Sequence, residues 1–308
     1  MKTIKSRREA LELCGLGAAS LFMPFSMMGI PFSNVMKLRK IPMSGEQIPV
    51  VGLGTWQTFD VGSSTEKRAI LLEVLKKMHE KGGRVIDSSP MYGSSESVVG
   101  DLTEKTNYPN EFFYATKVWT QGKEAGLQQI KNSIGRIRQK QMDLIQIHNL
   151  VDYRTHIKSL RSLKDNETIR YWGITHYVDS AHDRLAAIIK SEHPDFVQFN
   201  YSIRSRNAER VLLETAQKYS TAVLINRPFE GGSLFRLTKN KPLPEWCEGF
   251  QIKSWGQYFL KYILSHEAVT CVIPGTSKPH HVIDNMMAGY GNMPDQKTRE
   301  KMYSFIKN

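Results

Sequence analysis

The sequence predicts an α/β chain closed into a (β/α)8 TIM barrel behind a short N-terminal β-hairpin. Two observations predict it. From residue 36 onward, short β-rich runs alternate with longer amphipathic stretches, the rhythm of repeated βα units. Eight such runs can be counted, the number that closes a barrel of parallel strands, and 308 residues is an ordinary size for one such domain.

The elements follow in order. Val35 to Pro42 and Ile48 to Val51, separated by Ser44-Gly45, read as the hairpin, which would cap the bottom of the barrel. The eight core strands are expected at Val50–Trp56, Arg84–Ser89, Phe112–Val118, Asp143–His148, Tyr171–His176, Phe196–Tyr201, Ala222–Arg227 and Thr270–Pro274. Stretches such as Ala69 to Met78, Leu185 to Lys190 and Gln257 to Leu264 place apolar residues at helical spacing and would form the outer ring. The longest irregular stretch, Phe229 to Ser254, has the length of a lid or binding loop. After a last helix-like segment from Asp295 to Ile306 no long tail follows, which leaves the expected pocket open on one side.

Composition narrows the function classes. With 40% hydrophobic and 23% charged residues the chain has the make-up of a folded domain. The net charge of +12 is spread along the sequence, so a solvated basic surface is expected, with no nucleic-acid partner. The three cysteines, Cys14, Cys247 and Cys271, form neither a disulfide framework nor a metal-ligand cluster, and no metal is expected.

Residues 1–33 read as separate from the fold. Ser6-Arg7-Arg8-Glu9-Ala10-Leu11 precedes an apolar run from Leu13 to Phe32, a charged region followed by a hydrophobic one. This order resembles a twin-arginine export signal, although Ala10 and Glu12 depart from the usual residues and no A-x-A site ends the run. Export to the periplasm by the twin-arginine machinery is expected, with membrane attachment only through an uncleaved segment. Removing these residues takes away four basic and two acidic side chains and leaves +10 on residues 34–308, the body of the fold.

The chemistry-bearing residues cluster at strand ends, where such barrels collect their active sites. Asp87 and Tyr92 lie in Arg84-Val-Ile-Asp-Ser-Ser-Pro-Met-Tyr-Gly, Lys117 in Phe112-Phe-Tyr-Ala-Thr-Lys-Val-Trp, and His148 in Met142-Asp-Leu-Ile-Gln-Ile-His. With Gly52-Leu-Gly-Thr-Trp and Val272-Ile-Pro-Gly-Thr-Ser, these contexts resemble the aldo-keto reductase superfamily over roughly residues 36 to 290. The resemblance implies reduction of aldehydes and ketones, or the reverse, with a nicotinamide cofactor, NADP or alternatively NAD.

A carbonyl reductase without a metal needs an acid beside the hydride donor, and Tyr92 is the candidate. Lys117 would lower the pKa of its phenol, Asp87 would hold Lys117, and His148 would orient the substrate oxygen. Trp56, Phe59 and Trp119 would add an aromatic wall around the carbonyl.

No G-x-G-x-x-G turn is present, so the cofactor would lie on barrel loops, as the resemblance implies. Thr175, His176 and Gln198 would hold the carboxamide, the first two in place of a Ser-Asn pair. Asn226 stands where the family stacks an aromatic ring, and Arg227 would either replace that contact or form an ion pair inside the barrel mouth. Gly231 and Gly232 would admit the pyrophosphate. Thr276, Ser277 and Lys278 would take the 2′-phosphate, and Asp284 and Asn285 would lie near adenine; His281 replaces the usual Arg there. The alternatives are a nucleotide-binding barrel acting as a redox-responsive or interaction subunit, and an oxidoreductase that recycles a tightly held nucleotide.

Overall fold

The computed structural model describes residues 35–307, and the export-like segment and Cys14 lie outside them. Ten strands and ten α-helices succeed one another along this span. Strands β1 (Leu38–Lys40) and β2 (Gln47–Pro49) pair antiparallel as the hairpin. Eight further strands form one parallel sheet in sequential order: β3 (Leu53–Gly54), β4 (Val85–Asp87), β5 (Phe113–Val118), β6 (Met142–His148), β7 (Ile169–Thr175), β8 (Phe196–Asn200), β9 (Ala222–Asn226) and β10 (Cys271–Val272).

First and last strands meet through the parallel bridges Val51–Val272 and Gly54–Gly275, which bring the sheet round to a nearly closed (β/α)8 barrel. Isolated bridges and no continuous ladder join these two strands, and β3 and β10 are shorter than expected. The backbones approach so tightly that a Cβ on Gly54 would sit 2.8 Å from the Ile273 carbonyl oxygen, and one on Gly52 2.7 Å from that of Val85.

Two cores result. The larger fills the space between strands and helices, where α1 (Thr65–Glu80), α5 (His182–Glu192) and α8 (Trp255–Leu264) bury residues such as Leu75, Leu185 and Phe259. The smaller lies inside the barrel and includes Val85, Phe113, Leu144, Tyr171, Phe196 and Leu224. Ile41 and Ile48 of the hairpin region belong to it, so the hairpin plugs the barrel with two isoleucines. Burying each fully contributes roughly 1.5–3 kcal/mol.

Inward positions recur every second residue along a strand, and their character changes along it. Leu144 is followed inward by Gln146 and His148, Phe196 by Gln198 and Asn200, and Phe113 by Ala115 and Lys117. The apolar floor thus gives way to a polar layer at the C-terminal mouth.

The stretch expected as an irregular lid is instead built from short helical turns. Glu230–Gly232, α7 (Ser233–Leu237) and Glu245–Phe250 occupy it, with Leu234 and Cys247 buried. Cys271 is a buried strand residue facing the inner core. No helix among the described residues is long and apolar enough to cross a membrane.

Candidate active site

The last residue of β4 is Asp87, and its buried carboxylate receives three donors. Lys117 Nζ, from β5, lies 2.7 Å from Oδ2, while Gln146 Nε2 and Gln198 Nε2 lie 3.1 and 2.8 Å from Oδ1. Lys117 also donates to the Ser88 carbonyl at 2.6 Å. Burial opposes the lysine's charge, but Asp87 and Tyr92 outweigh it and raise its pKa, so it remains an ammonium.

That ammonium sits 4.9 Å from the centre of the Tyr92 ring. Tyr92 follows β4 in a turn held by its own N–H, which donates to the Ser89 carbonyl at 3.0 Å. Burial raises the phenol pKa and Lys117 opposes the rise without cancelling it; the net shift is upward. The expectation of a lowered phenol pKa is therefore corrected, because removal from water costs a phenolate more than one ammonium returns. Tyr92 stays protonated at neutral pH, the form a proton donor requires.

His148 ends β6 with its ring edge-on to Tyr92 at 6.0 Å and its Nδ1 3.2 Å from Ser89 Oγ. Burial, then the charge of Lys117 and His176, takes its pKa from the ordinary 6.5 down to about 3, so the imidazole is neutral.

These residues open onto a cavity of about 570 Å³ lined also by Thr55, Trp56, Met91, Asn149, Thr175, Gln198, Asn226, Arg227, Gly231, Gly232 and Phe235. One polar chain crosses its floor: Thr175 Oγ1 and Asn226 Nδ2 donate to Gln198 Oε1 at 3.3 and 3.2 Å, and Gln198 reaches Asp87. Four buried side-chain polar atoms among the described residues have no partner, and two of them, Asn149 Oδ1 and Asn226 Oδ1, belong to this cavity's walls. Unpaired buried acceptors are costly and rare, and here they mark a place that a hydrogen-bonding ligand completes. The donor set, two glycines with open space before them and the orphaned acceptors fit a nicotinamide nucleotide.

The remaining residues are placed as follows. His176 Nδ1 accepts from the Tyr177 N–H at 3.0 Å, which leaves Nε2 as the donor of a neutral ring. Arg227 has a left-handed backbone (φ 51°) and makes no ion pair among the described residues; its guanidinium lies 5.9 Å from the Tyr177 ring centre. Thr276, Ser277 and Lys278 precede α9 (Pro279–Met287), which carries His281, Asp284 and Asn285. Both Asp284 carboxylate oxygens are held, by Ser254 and Gln257, and so fix the start of α8.

Trp56 and Trp119 are 50% and 43% exposed at the mouth, too open for core residues. Phe59 is not part of the wall. It is fully buried in the larger core, because Thr58 and Phe59 fold back on the Thr55 carbonyl in a tight turn that points the ring inward. Met91 and Phe235 take the place expected for it. Ser89, Gln146 and Asn149 belong to the site without having been singled out; Gln146 could have been found from its parity with His148 in a strand otherwise apolar on its inner side.

Residues 50–300 match the family model described as Aldo/keto reductase family. The chain is 24% identical to "Uncharacterized oxidoreductase YqkF" of Bacillus subtilis over 88% of its own length and 97% of that protein's. It is 25% identical to "Aldo-keto reductase YhdN" of the same organism over 73% and 71% of the two chains. Among solved structures it is similar to an aldo/keto reductase from Klebsiella pneumoniae in complex with NADP and acetate, with TM-score 0.72, 22% identity and coverage of 89% and 95%. The eight-stranded barrel, the residues at its mouth and the matched span lead to one conclusion: the chain belongs to the aldo/keto reductase family.

Proposed function

We propose that this protein is an NAD(P)-dependent oxidoreductase that interconverts aldehyde or ketone carbonyls and alcohols, with Tyr92 as the general acid. The observation that carries the reading is the convergence of a protonated phenol, a buried ammonium and a neutral imidazole on one cavity. When bound, a reduced nicotinamide would supply hydride to the carbonyl carbon. The carbonyl π electrons move to oxygen, and the Tyr92 hydroxyl proton forms the O–H bond. Lys117 stabilises the negative charge then left on the Tyr92 oxygen, and Asp87 keeps Lys117 in place. His148 hydrogen-bonds the substrate oxygen. Trp56 and Met91 give the pocket an apolar rim suited to a small carbonyl compound, and Trp119, outside the cavity lining, stands beside it with its ring 6.5 Å from that of His148.

Thr175, His176, Gln198 and Asn226 would hold the carboxamide, with Arg227, Gly231 and Gly232 along the phosphates. NADP is favoured because Thr276, Ser277 and Lys278 gather hydroxyls and an ammonium without an ion-pair partner among the described residues where a 2′-phosphate would sit. Mass spectrometry of nucleotide released from protein purified without added cofactor should find NADP(H). Release of no nicotinamide nucleotide, together with no quenching of protein fluorescence by added NADPH or NADH, would refute the reading.

The Arg7-Arg8 segment extends it to the periplasm, reached through the twin-arginine machinery, which carries folded proteins and so allows cofactor loading before export. Replacing both arginines by Lys should leave the protein in the cytoplasm. Export that survives the double substitution would end this part of the reading.

A further inference from the structure

Three consecutive residues at the end of β4, Asp87 to Ser89, organise the site. Asp87 and the Ser88 carbonyl hold Lys117, and the Ser89 carbonyl holds the Tyr92 amide. The Ser89 side chain, fully buried, is left to meet His148.

A proton inventory fixes the direction of that contact. Ser89 Oγ receives the Met91 N–H at 3.4 Å, and its own hydroxyl hydrogen has one acceptor in reach among the described residues, His148 Nδ1. Were Nδ1 to carry the proton and donate instead, the serine hydroxyl hydrogen would be buried with no acceptor. The opposite ring nitrogen, Nε2, makes no hydrogen bond within the described protein and is not among the buried unpartnered atoms, so it opens onto the cavity that His148 lines.

We propose that Ser89 is a positioning residue that locks His148 in the Nε2–H tautomer, so that the imidazole presents a donor and not a lone pair to the carbonyl oxygen. This rests on the reading of His148 as the group that orients the substrate. The depressed pKa of His148 agrees with it, since only a neutral ring can accept at Nδ1. Ser89 touches no reacting atom and acts through His148 alone.

The test is a long-range proton–nitrogen correlation spectrum of histidine-labelled protein near neutral pH, with the His148 signals identified by their loss in His148→Gln. The wild type should show Nδ1 unprotonated and Nε2 protonated. Ser89→Ala should show a mixture of tautomers and a kcat lower on the order of ten-fold, a fraction of the 10²–10³ that loss of such a donor costs, and Ser89→Thr should restore both. A wild-type His148 with its proton on Nδ1 or shared between the nitrogens overturns the proposal and needs no variant to fold. So does a Ser89→Ala spectrum that keeps the wild-type tautomer. Failure of the underlying reading looks different: His148→Gln with unchanged turnover overturns both, whatever tautomer the wild type shows.

Discussion

At the scale of single residues, the site works by setting protonation states in advance. Tyr92 and His148 are both kept neutral by burial, while Lys117 is kept charged against burial by a carboxylate 2.7 Å away. A buried pair of this kind is fragile to the loss of one partner, because the other is left uncompensated. Lys117→Met should therefore lower carbonyl turnover by about 10²–10⁴, while leaving nucleotide affinity within a few-fold, since Lys117 faces Tyr92 and Asp87 and not the glycine-lined side of the cavity. Steady-state kinetics beside a fluorescence titration checks both halves. Near-normal turnover would place the proton route elsewhere.

At the scale of elements, the order of strands and helices was legible in the sequence because period-two and period-3.6 patterns write burial directly into residue order. The strand ends carrying Asp87, Lys117 and His148 were legible for the same reason. What stayed hidden depends on local turns. Phe59 turns inward through two hydrogen bonds to the Thr55 carbonyl, and Ser89 meets a ring 59 residues away, which no spacing rule encodes. The stretch after β9 lacks long periodicity, yet helical turns of five or six residues hold it. Packing between neighbouring helices is just as unforgiving. Helix α2 (Ser95–Thr103) crosses α3 (Lys123–Ile137) at Gly100, where a Cβ would collide with the Arg136 carbonyl oxygen and come within 2.9 Å of the Ile137 carbonyl carbon. Gly100→Ala should lose roughly 1–3 kcal/mol or more, read as a lower urea midpoint; an unchanged midpoint would show that the helices slide apart freely.

At the scale of the whole molecule, several histidines are held below their ordinary pKa, mainly by burial: His148 is taken down to about 3, and His182 and His266 are also lowered. Below pH 6.5 the unfolded chain therefore binds protons that the folded protein refuses. The contribution of these histidines should be constant above that pH and fall as pH drops through the window beneath it, by at most about 1.4 kcal/mol per unit for each such histidine, while buried Lys261, lowered to about 8, adds a rise only towards pH 8 and beyond. Urea midpoints between pH 5 and 8 measure this. His148→Asn should show a shallower slope, and an identical slope would mean that His148 is protonated without cost.

The proposed function turns on delivery of the proton by the Tyr92 hydroxyl in a nicotinamide-dependent carbonyl reduction. Its most direct test is consumption of NADPH with a panel of aldehydes by the wild type and by Tyr92→Phe, with cofactor affinity measured on the same samples. The wild type should oxidise NADPH in an aldehyde-dependent way and Tyr92→Phe should not, with nucleotide affinity unchanged within a few-fold. Equal turnover by the two proteins would contradict it.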